Sequence, residues 1–372
     1  MQLPAHISIL NVGQDNLFAG LPDCRVDHVS TGASIVPMAD RAGGGGLRRW
    51  PGILSRIGRA QYDLIVLPVA DFCWNHDASR IKRAVRWIAA STLRRRPIAG
   101  PCNKLLARRN TTVIVLDRYD TSDTFDDFLE CVTSARYYFK TNLRESDSDR
   151  VHPFAPGREC AFKSLPYWIS TEKYQVPFRS DKDIDVFFAG MVNSDERRVA
   201  VERVRRLDAE GYRVKIVEGR LPFAEYLDLM SRSWLTLSPA GCGYNGFRHY
   251  ESMLVGSVPV INVSDPPIVS DFVHGENCLL YSQRHGDLIP LIKQALSDRP
   301  RLQKLARRLP EFVAEQHSLR GVGQYVLRES LKQHADFNSV SSEAASFSTP
   351  DRDESRSDCE PIVANLHASQ FS

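Results

Sequence analysis

Two apolar runs in the first half of the chain constrain its fold most, because they are continuous and do not alternate with polar residues. They are residues 63–69 (DLIVLPV) and residues 111–116 (TTVIVL). Such a run is typical of a strand that is covered on both faces, as in a parallel sheet. Residues 78–93 lie between the two runs and carry apolar residues at helical spacing. Strands that alternate with helices predict an α/β fold.

The alternation of strands and helices stops in the middle of the chain and then restarts. In the first half, further strands are expected at residues 6–12 and 135–140. Residues 145–183 are rich in Pro, Ser and charged side chains, which predicts an irregular connection. In the second half we expect strands at residues 185–189, 212–218, 234–238 and 258–263, and closing helices at 288–295, 301–309 and 319–334.

This interruption predicts two domains. A chain of 372 residues is also longer than one hydrophobic core usually organises. We therefore expect two Rossmann-like domains that face each other across a cleft, over residues 1–165 and 166–334. Residues 335–372 are rich in Ser, Asp and Glu and are expected to form a disordered tail.

The overall charge is nearly balanced, with 48 Lys and Arg against 45 Asp and Glu. This balance argues against a dedicated nucleic-acid-binding protein. Two local basic runs, residues 94–96 and 108–109, are interpreted as solvated surface. The alternative is an electrostatic contact with anionic lipid or with an acidic acceptor.

The eight cysteines are scattered and form no C-x-x-C pair, so their spacing predicts neither a zinc site nor a disulfide framework. This pattern is typical of a protein in a reducing compartment. The first residues have neither the basic nor the apolar region of a secretion signal. No run of about 18 apolar residues predicts a membrane-spanning helix. We expect a soluble, cytoplasmic protein, with peripheral membrane contact as the alternative.

Residues 234–261 (WLTLSPAGCGYNGFRHYESMLVGSVPVI) are the most informative segment for function. The pattern predicts a buried strand, a loop with Gly241, Gly243 and Gly246, a helix and a second buried strand. Glycines let a backbone approach a ligand closely, and the helix directs unpaired N–H groups at the loop, which suits a phosphate. Arg248, in the first helical turn, could bind two oxygens of the same phosphate group.

Glu251 follows Arg248 by three residues and is expected on the same side of that helix. Its carboxylate could accept hydrogen bonds from the vicinal hydroxyls of a ribose. The alternative is a plain βαβ unit in which Arg248 and Glu251 form a surface ion pair.

The wider order of motifs resembles a known family. A strand ending in S-P, a Gly loop, R-x-x-E, G-x-x-P-V-I and then HGENCLLY are similar to the donor-binding half of GT-B glycosyltransferases. The likeness is greatest to the bacterial spore-maturation-type group and the exostosin-like enzymes. It covers residues 185–327 and is most specific over residues 248–261. It implies a GT-B fold and the transfer of a sugar from a nucleotide-diphosphate sugar to a glycan, a lipid-linked acceptor or another hydroxyl.

The resemblance also implies roles for particular residues. Arg248 would contact the donor diphosphate, Glu251 would bind the ribose, and Gly190 would let its loop pass close to the ligands. The full donor-binding set is Gly190, Ser238, Gly241, Gly243, Tyr244, Asn245, Gly246, Arg248 and Glu251. The sequence departs from the family at Gly243, because many retaining enzymes carry an acid eight residues before the equivalent of Glu251.

A general base is expected in the first half, where open α/β sheets place ligands after the strands. The candidates are Asp117 and Asp120 after the 111–116 run, and His76, with Asp71, after the 63–69 run. The alternative for each is a capping or turn residue.

The sequence predicts neither a metal site nor a cofactor other than the donor itself. The D-x-D spelling of Asp183 and Asp185 and the pair Asp126-Asp127 are interpreted as linker and helix-start carboxylates. The loop of residues 41–46 (RAGGGG) lacks the G-K-[ST] ending of a P-loop. We expect a metal-independent glycosyltransferase. The alternatives are a nucleotide-sugar hydrolase or epimerase on the same fold, or a non-catalytic relative that binds a nucleotide sugar or a glycan.

Overall fold

A computed structural model describes residues 6–12, 16–29, 55–59, 61–69, 111–126, 129, 132–155, 158–241 and 243–344, with the backbone alone for 332–344. The chain divides into two compact units, Met1–Leu331 and Lys332–Ser372. Two β-sheets belong to the first unit, and from the second unit only helical residues are described. The predicted helix at 78–93 and the loop at 41–46 lie outside the described residues, as do the basic runs at 94–96 and 108–109.

The first sheet has seven strands in the order β2-β1-β3-β4-β5-β7-β6. All neighbouring strands are parallel except β6 and β7, which are antiparallel. The strands are β1 (Ile7–Val12), β2 (Cys24–Val29), β3 (Leu64–Pro68), β4 (Thr112–Asp117), β5 (Ala135–Lys140), β6 (Val151–Ala155) and β7 (Arg158–Ser164).

The central strands of this sheet are covered on both faces, as their unbroken apolar sequences predict. Every residue of β4 is buried. Val113 and Val115 pack into a cluster on one face, whereas Ile114 and Leu116 pack into a cluster on the other. Successive side chains of a strand point to opposite faces, so an apolar residue at every position fills two cores.

The second sheet has five parallel strands in the order β12-β11-β10-β8-β9. They are β8 (Ile184–Gly190), β9 (Val214–Glu218), β10 (Ser233–Leu237), β11 (Val258–Asn262) and β12 (Leu279–Tyr281). The α-helices with bounds in the described residues are α1 (Asp195–Arg205), α2 (Phe223–Ser231), α3 (Phe247–Leu254), α4 (Leu288–Ser297), α5 (Arg299–Gln316) and α6 (Leu319–Ala344). Two sheets of mostly parallel strands, connected by helices, confirm the α/β prediction.

Two local predictions were wrong, and one strand was not predicted. The connection expected from residue 145 contains β6 and β7; β6 is the edge strand, which its Pro-containing sequence suits, and β7, with four polar residues of seven, lies next to it. The strand β2, with the sequence CRVDHV, was not predicted. The last helix continues past residue 334 to Ala344, and residues 345–372 lie outside the described residues.

The closing helices divide between the two sheets. The helices α4 and α5 pack with the second sheet, through residues such as Ile292 and Leu302. By contrast, α6 packs with the first sheet, where Val322 and Val326 join a cluster that includes Ile9. The chain therefore crosses between the two sheets twice, after β7 and again between α5 and α6. The predicted domain limits stay a prediction.

Candidate functional site

A cavity of about 350 Å³ lies where the two sheets meet, at the carboxyl ends of their strands. From the first half, Asp120 follows β4 and lines this cavity. From the second half, the loops after β8 and β10 and the start of α3 form most of the wall. All of the predicted donor-binding residues except Gly190 line it: Ser238, Gly241, Gly243, Tyr244, Asn245, Gly246, Arg248 and Glu251.

The guanidinium of Arg248 is held in place from behind by the end of β8. Its Nη2 donates to the carbonyl oxygen of Ala189 at 2.7 Å, and its Cζ lies over the ring of Phe188, 4.7 Å from the ring centroid. Gly190 makes this possible, because a Cβ there would lie 2.1 Å from Nη2, and because its φ of +149° disfavours other residues. Gly190 itself does not line the cavity, but its lack of a side chain leaves room for the guanidinium of Arg248, which does. The Nε of Arg248 is buried without a hydrogen-bond partner.

Glu251 lies one helical turn beyond Arg248 and is held by two tyrosines. Its Oε2 accepts a hydrogen bond from the hydroxyl of Tyr226 at 2.7 Å, and its Oε1 accepts one from Tyr174 at 3.0 Å. Tyr226 comes from α2 and Tyr174 from the segment that connects the two sheets. The carboxylate is fixed by these contacts, and Arg248 and Glu251 do not form the surface ion pair of the alternative interpretation.

The Gly loop contacts the first half of the chain directly. A Cβ on Gly243 would lie 2.3 Å from the carbonyl oxygen of Asp120, so only glycine fits between the two loops. Beside it, Asn142 donates to that same oxygen at 3.0 Å and accepts from the backbone N–H of Asn245 at 2.9 Å. These contacts place Asp120 against the loop that lines the cavity.

His249 is fully buried and forms hydrogen bonds both to the end of β10 and to the Gly loop. Its Nε2 lies 2.8 Å from the carbonyl oxygen of Tyr244, and its Nδ1 lies 2.8 Å from the hydroxyl of Ser238. A carbonyl oxygen can only accept, so Nε2 carries the proton and Nδ1 accepts from Ser238. Only 1% of His249 is exposed. Ser238 and Tyr244 are thus fixed by a neutral imidazole.

Protonation of His249 is expected to destabilise the fold. Burial lowers the pKa of His249 from 6.5 to about 4. As pH falls below 6.5, the unfolded chain takes up this proton and the folded protein does not, so up to about 1.4 kcal/mol of stability is lost per pH unit until about pH 4. Urea unfolding of the wild type and of His249→Gln, which keeps a donor for Tyr244 but does not titrate, measures this loss. The free energy of unfolding should fall less in the variant between neutral pH and about pH 5; an equal fall in both proteins would contradict it.

The two candidate bases that can be located occupy different environments. Asp117 is fully buried, accepts a hydrogen bond from Tyr138 and lies 3.3 Å from the Nζ of Lys140. It does not line the cavity. Asp120 does, and burial against the surrounding loops raises its pKa, although Lys140 and Arg118 oppose the rise. His76 and Asp71 lie outside the described residues.

The cavity also contains residues that the sequence analysis did not single out. Arg197, in the first turn of α1, lines it and donates to the carbonyl oxygen of Met191 at 3.1 Å and to Asn193 at 3.0 Å. Tyr167 lines it too and stacks on Tyr250 with the ring centroids 5.2 Å apart. The N-cap of α1 is Ser194, whose side chain accepts a hydrogen bond from the backbone N–H of Arg197. No pattern of residues predicted that Arg197 would turn back towards the loop after β10, where it lies beside Pro239 and Gly241.

The acidic pairs considered for metal binding are engaged in ion pairs. Asp185 lies 3.0 Å from Arg213 and 2.8 Å from Arg299, and Asp183 pairs with Arg232. Asp126 pairs with Arg150, and Asp127 lies outside the described residues. Within the described residues, no group of three or more His, Cys, Asp or Glu side chains is arranged to hold a metal ion. In that same part of the chain, no helix is both long and apolar enough to cross a membrane.

Residues 211–289 match the family model of the RXYLT1 C-terminal domain. No curated protein sequence matches the chain closely enough to count as a relative.

Among solved structures, a glycosyltransferase from Rickettsia africae aligns with a TM-score of 0.45 and 9% identity, over 88% of this chain and 99% of its own. The N-terminal domain of Candida albicans trehalose-6-phosphate phosphatase aligns with a TM-score of 0.48 and 10% identity, over 89% and 97%. Anabaena HepE in complex with UDP-glucose aligns with a TM-score of 0.41 and 13% identity, over 88% and 100%. Two Rossmann-like sheets that share one cavity at the carboxyl ends of their strands give this chain the GT-B fold that its sequence predicts.

Proposed function

We propose that this protein is a glycosyltransferase that moves a sugar from a nucleotide-diphosphate sugar to a hydroxyl acceptor. One observation carries the proposal: Arg248 and Glu251, a helical turn apart on α3, both line the cavity between the two sheets. A cation and a carboxylate at this separation suit the two ends of a ribosyl diphosphate. The match of residues 211–289 to a xylosyltransferase-like domain supports the same reaction class.

The diphosphate would lie at the start of α3. Gly246, the N-cap, has no side chain to satisfy the first N–H groups of this helix, and it borders the cavity. Unpaired N–H groups and the positive end of the helix dipole favour an anion there. Arg248 and Arg197 add two positive charges at the same wall. In our proposal these groups stabilise the negative charge that builds on the leaving diphosphate, so that transfer needs no metal ion.

Of the candidate bases that the structure describes, Asp120 is the better placed to accept the proton of the acceptor hydroxyl. It lies on the first half of the chain and borders the cavity. The Cβ of Asp120 would lie 2.9 Å from a Cβ on Gly243, the position at which many retaining enzymes carry an acid. A carboxylate from the first half therefore stands beside the position where the family's first acid is missing. Because burial raises its pKa, Asp120 is a stronger base than a solvated aspartate.

The acceptor would bind against the first half of the chain, beside Asp120. A glycan or a lipid-linked saccharide supplies the required hydroxyl. We propose a role in polysaccharide biosynthesis in the cytoplasm, with the protein either free or in peripheral contact with a membrane.

A donor panel tests this function. The release of free nucleoside diphosphate is measured from several nucleotide sugars, with and without an acceptor extract. Glycosyl transfer requires release that depends on the acceptor. Release without acceptor would instead indicate hydrolysis or epimerisation, and donor binding without release would indicate a non-catalytic binding protein; either result would contradict our proposal.

Replacing Arg248 should weaken donor binding without unfolding the protein. We expect Arg248→Ala to raise the dissociation constant of a nucleoside diphosphate about 10- to 100-fold, the usual effect of losing a charge-assisted contact. Calorimetric titration measures it. Arg198→Ala is the matched control, because this exposed arginine on α1 pairs with Asp195 and Glu202 outside the cavity. Equal affinities in Arg248→Ala and the control would show that the diphosphate binds elsewhere.

A further inference from the structure

Three separate elements meet at the carboxylate of Glu251: its own helix α3, the helix α2 and the segment that connects the two sheets. Tyr226 on α2 and Tyr174 on the connecting segment donate to different oxygens of the same carboxylate, at 2.7 Å and 3.0 Å. Neither tyrosine is close to Glu251 in the sequence, since they are 25 and 77 residues away. Such long-range convergence on one side chain in a cavity indicates that its orientation matters.

Tyr226 also borders the second donor-binding group. It lines the cavity, and the positive charge of Arg248 beside the phenol opposes the rise of the Tyr226 pKa that burial causes. The ring packs against Phe187, with the centroids 6.0 Å apart, on the same strand that holds Arg248 from behind. One hydroxyl group thus lies between the proposed diphosphate contact and the proposed ribose contact.

The two phenols leave a defined part of the carboxylate open. Each oxygen of an ionised carboxyl group offers about two acceptor positions. With one position on each oxygen taken by a tyrosine, one position on each oxygen remains. Two such positions, on two oxygens held in a fixed plane, suit the two hydroxyls of a vicinal diol.

We propose that Tyr226 and Tyr174 are positioning residues that hold Glu251 as a fixed acceptor for the two hydroxyls of a ribose, and that Tyr226 sets this carboxylate relative to Arg248. This inference rests on the proposed function and adds that the site discriminates ribonucleotide from deoxyribonucleotide donors.

The chemistry of the three side chains supports this arrangement. Burial and the neighbouring carboxylate raise the pKa of both tyrosines above the usual value, so both remain donors at neutral pH. Glu251 accepts from both and so presents only acceptor positions to a ligand. Without the two donors, the carboxylate could rotate about its side-chain bonds. Binding a ligand would then have to order this side chain, and the conformational entropy lost would weaken the binding.

The test compares ribose with deoxyribose. The four common ribonucleoside diphosphates and their 2′-deoxy counterparts are titrated calorimetrically into the wild type, Tyr226→Phe and Tyr174→Phe. Each variant loses one hydroxyl group and keeps its ring. We expect both variants to bind the preferred ribonucleotide about 10-fold more weakly and to lose most of the preference for ribose over deoxyribose.

Tyr62→Phe is the matched control. Its hydroxyl also donates to a carboxylate at 2.7 Å, that of Asp27, but on the first sheet and outside the cavity lining. It should lose stability without any change in the preference for ribose. A tyrosine whose only role is structural would behave like this control. In a Glu251→Gln background, Tyr226→Phe should have little further effect on the preference, because the group that it positions has already been changed.

The outcomes separate this inference from the function on which it rests. If the wild type prefers ribonucleotides and either tyrosine variant keeps that preference unchanged, the positioning role of that tyrosine is overturned while the donor site stands. If the wild type binds no nucleoside diphosphate, the proposed function fails and this inference fails with it.

Discussion

Asp120→Asn is expected to lower acceptor-dependent turnover about 10²- to 10⁴-fold, the usual effect of removing a general base. The amide has nearly the shape of the carboxylate but cannot accept the proton of the acceptor hydroxyl. Asp120 contacts the Gly loop through its backbone oxygen, which the substitution leaves in place. Donor affinity should therefore stay close to that of the wild type.

Steady-state rates and calorimetric titration together check this result. A fall in kcat with unchanged donor binding would assign Asp120 to the chemical step. The matched control is Asp123→Asn, since this exposed aspartate lies three residues further along the same loop and pairs with Arg144. If Asp120→Asn kept wild-type turnover, the base would have to be another group, and His76 would be the next residue to replace.

Lys140→Met is expected to cost about 3–5 kcal/mol of stability, because it leaves a buried carboxylate without its cation. Lys140 and Asp117 are both fully buried. Burial lowers the pKa of the lysine and raises that of the aspartate, and their mutual attraction opposes both shifts. Lys140 also donates to the carbonyl oxygen of Tyr119 at 2.8 Å and so supports the loop that carries Asp120.

Urea unfolding measures the change in the free energy of unfolding, and two further variants serve as comparisons. Replacing the three buried side chains by apolar residues (Asp117→Leu, Tyr138→Phe and Lys140→Met together) should recover part of the loss, because the buried carboxylate is then removed together with its cation. The recovery is incomplete, since Tyr119 and Phe125 lose backbone hydrogen bonds to these side chains. Arg205→Met removes an exposed ion pair with Glu218 and should have a much smaller effect. A loss for Lys140→Met as small as that for Arg205→Met would contradict the account of this buried pair.

The architecture could be predicted because its signals are local. The unbroken apolar runs of β3 and β4, and the glycines between β10 and α3, each follow from the properties of a few neighbouring residues. The edge strands β2 and β6 were missed for the same reason, since a strand with an uncovered face or edge carries polar residues and proline without penalty.

The arrangement within the site could be predicted only in part. Arg248 and Glu251 were placed on one side of a helix by their spacing. The contacts that fix them come from Ala189, Tyr174 and Tyr226, which are distant in the sequence. Asp117 and Asp120 were equivalent as candidates after a strand, yet Asp117 is the last residue of β4 and is buried, whereas Asp120 lies on the following loop and reaches the cavity. Only the packing of the two halves distinguishes them.

A crystal structure with a bound nucleoside diphosphate tests the central claim most directly. We expect the phosphate oxygens within hydrogen-bonding distance of the Arg248 guanidinium, and the ribose hydroxyls on the free acceptor positions of Glu251. A nucleotide bound outside the cavity between the two sheets, or one inside it that contacts neither side chain, would contradict this account.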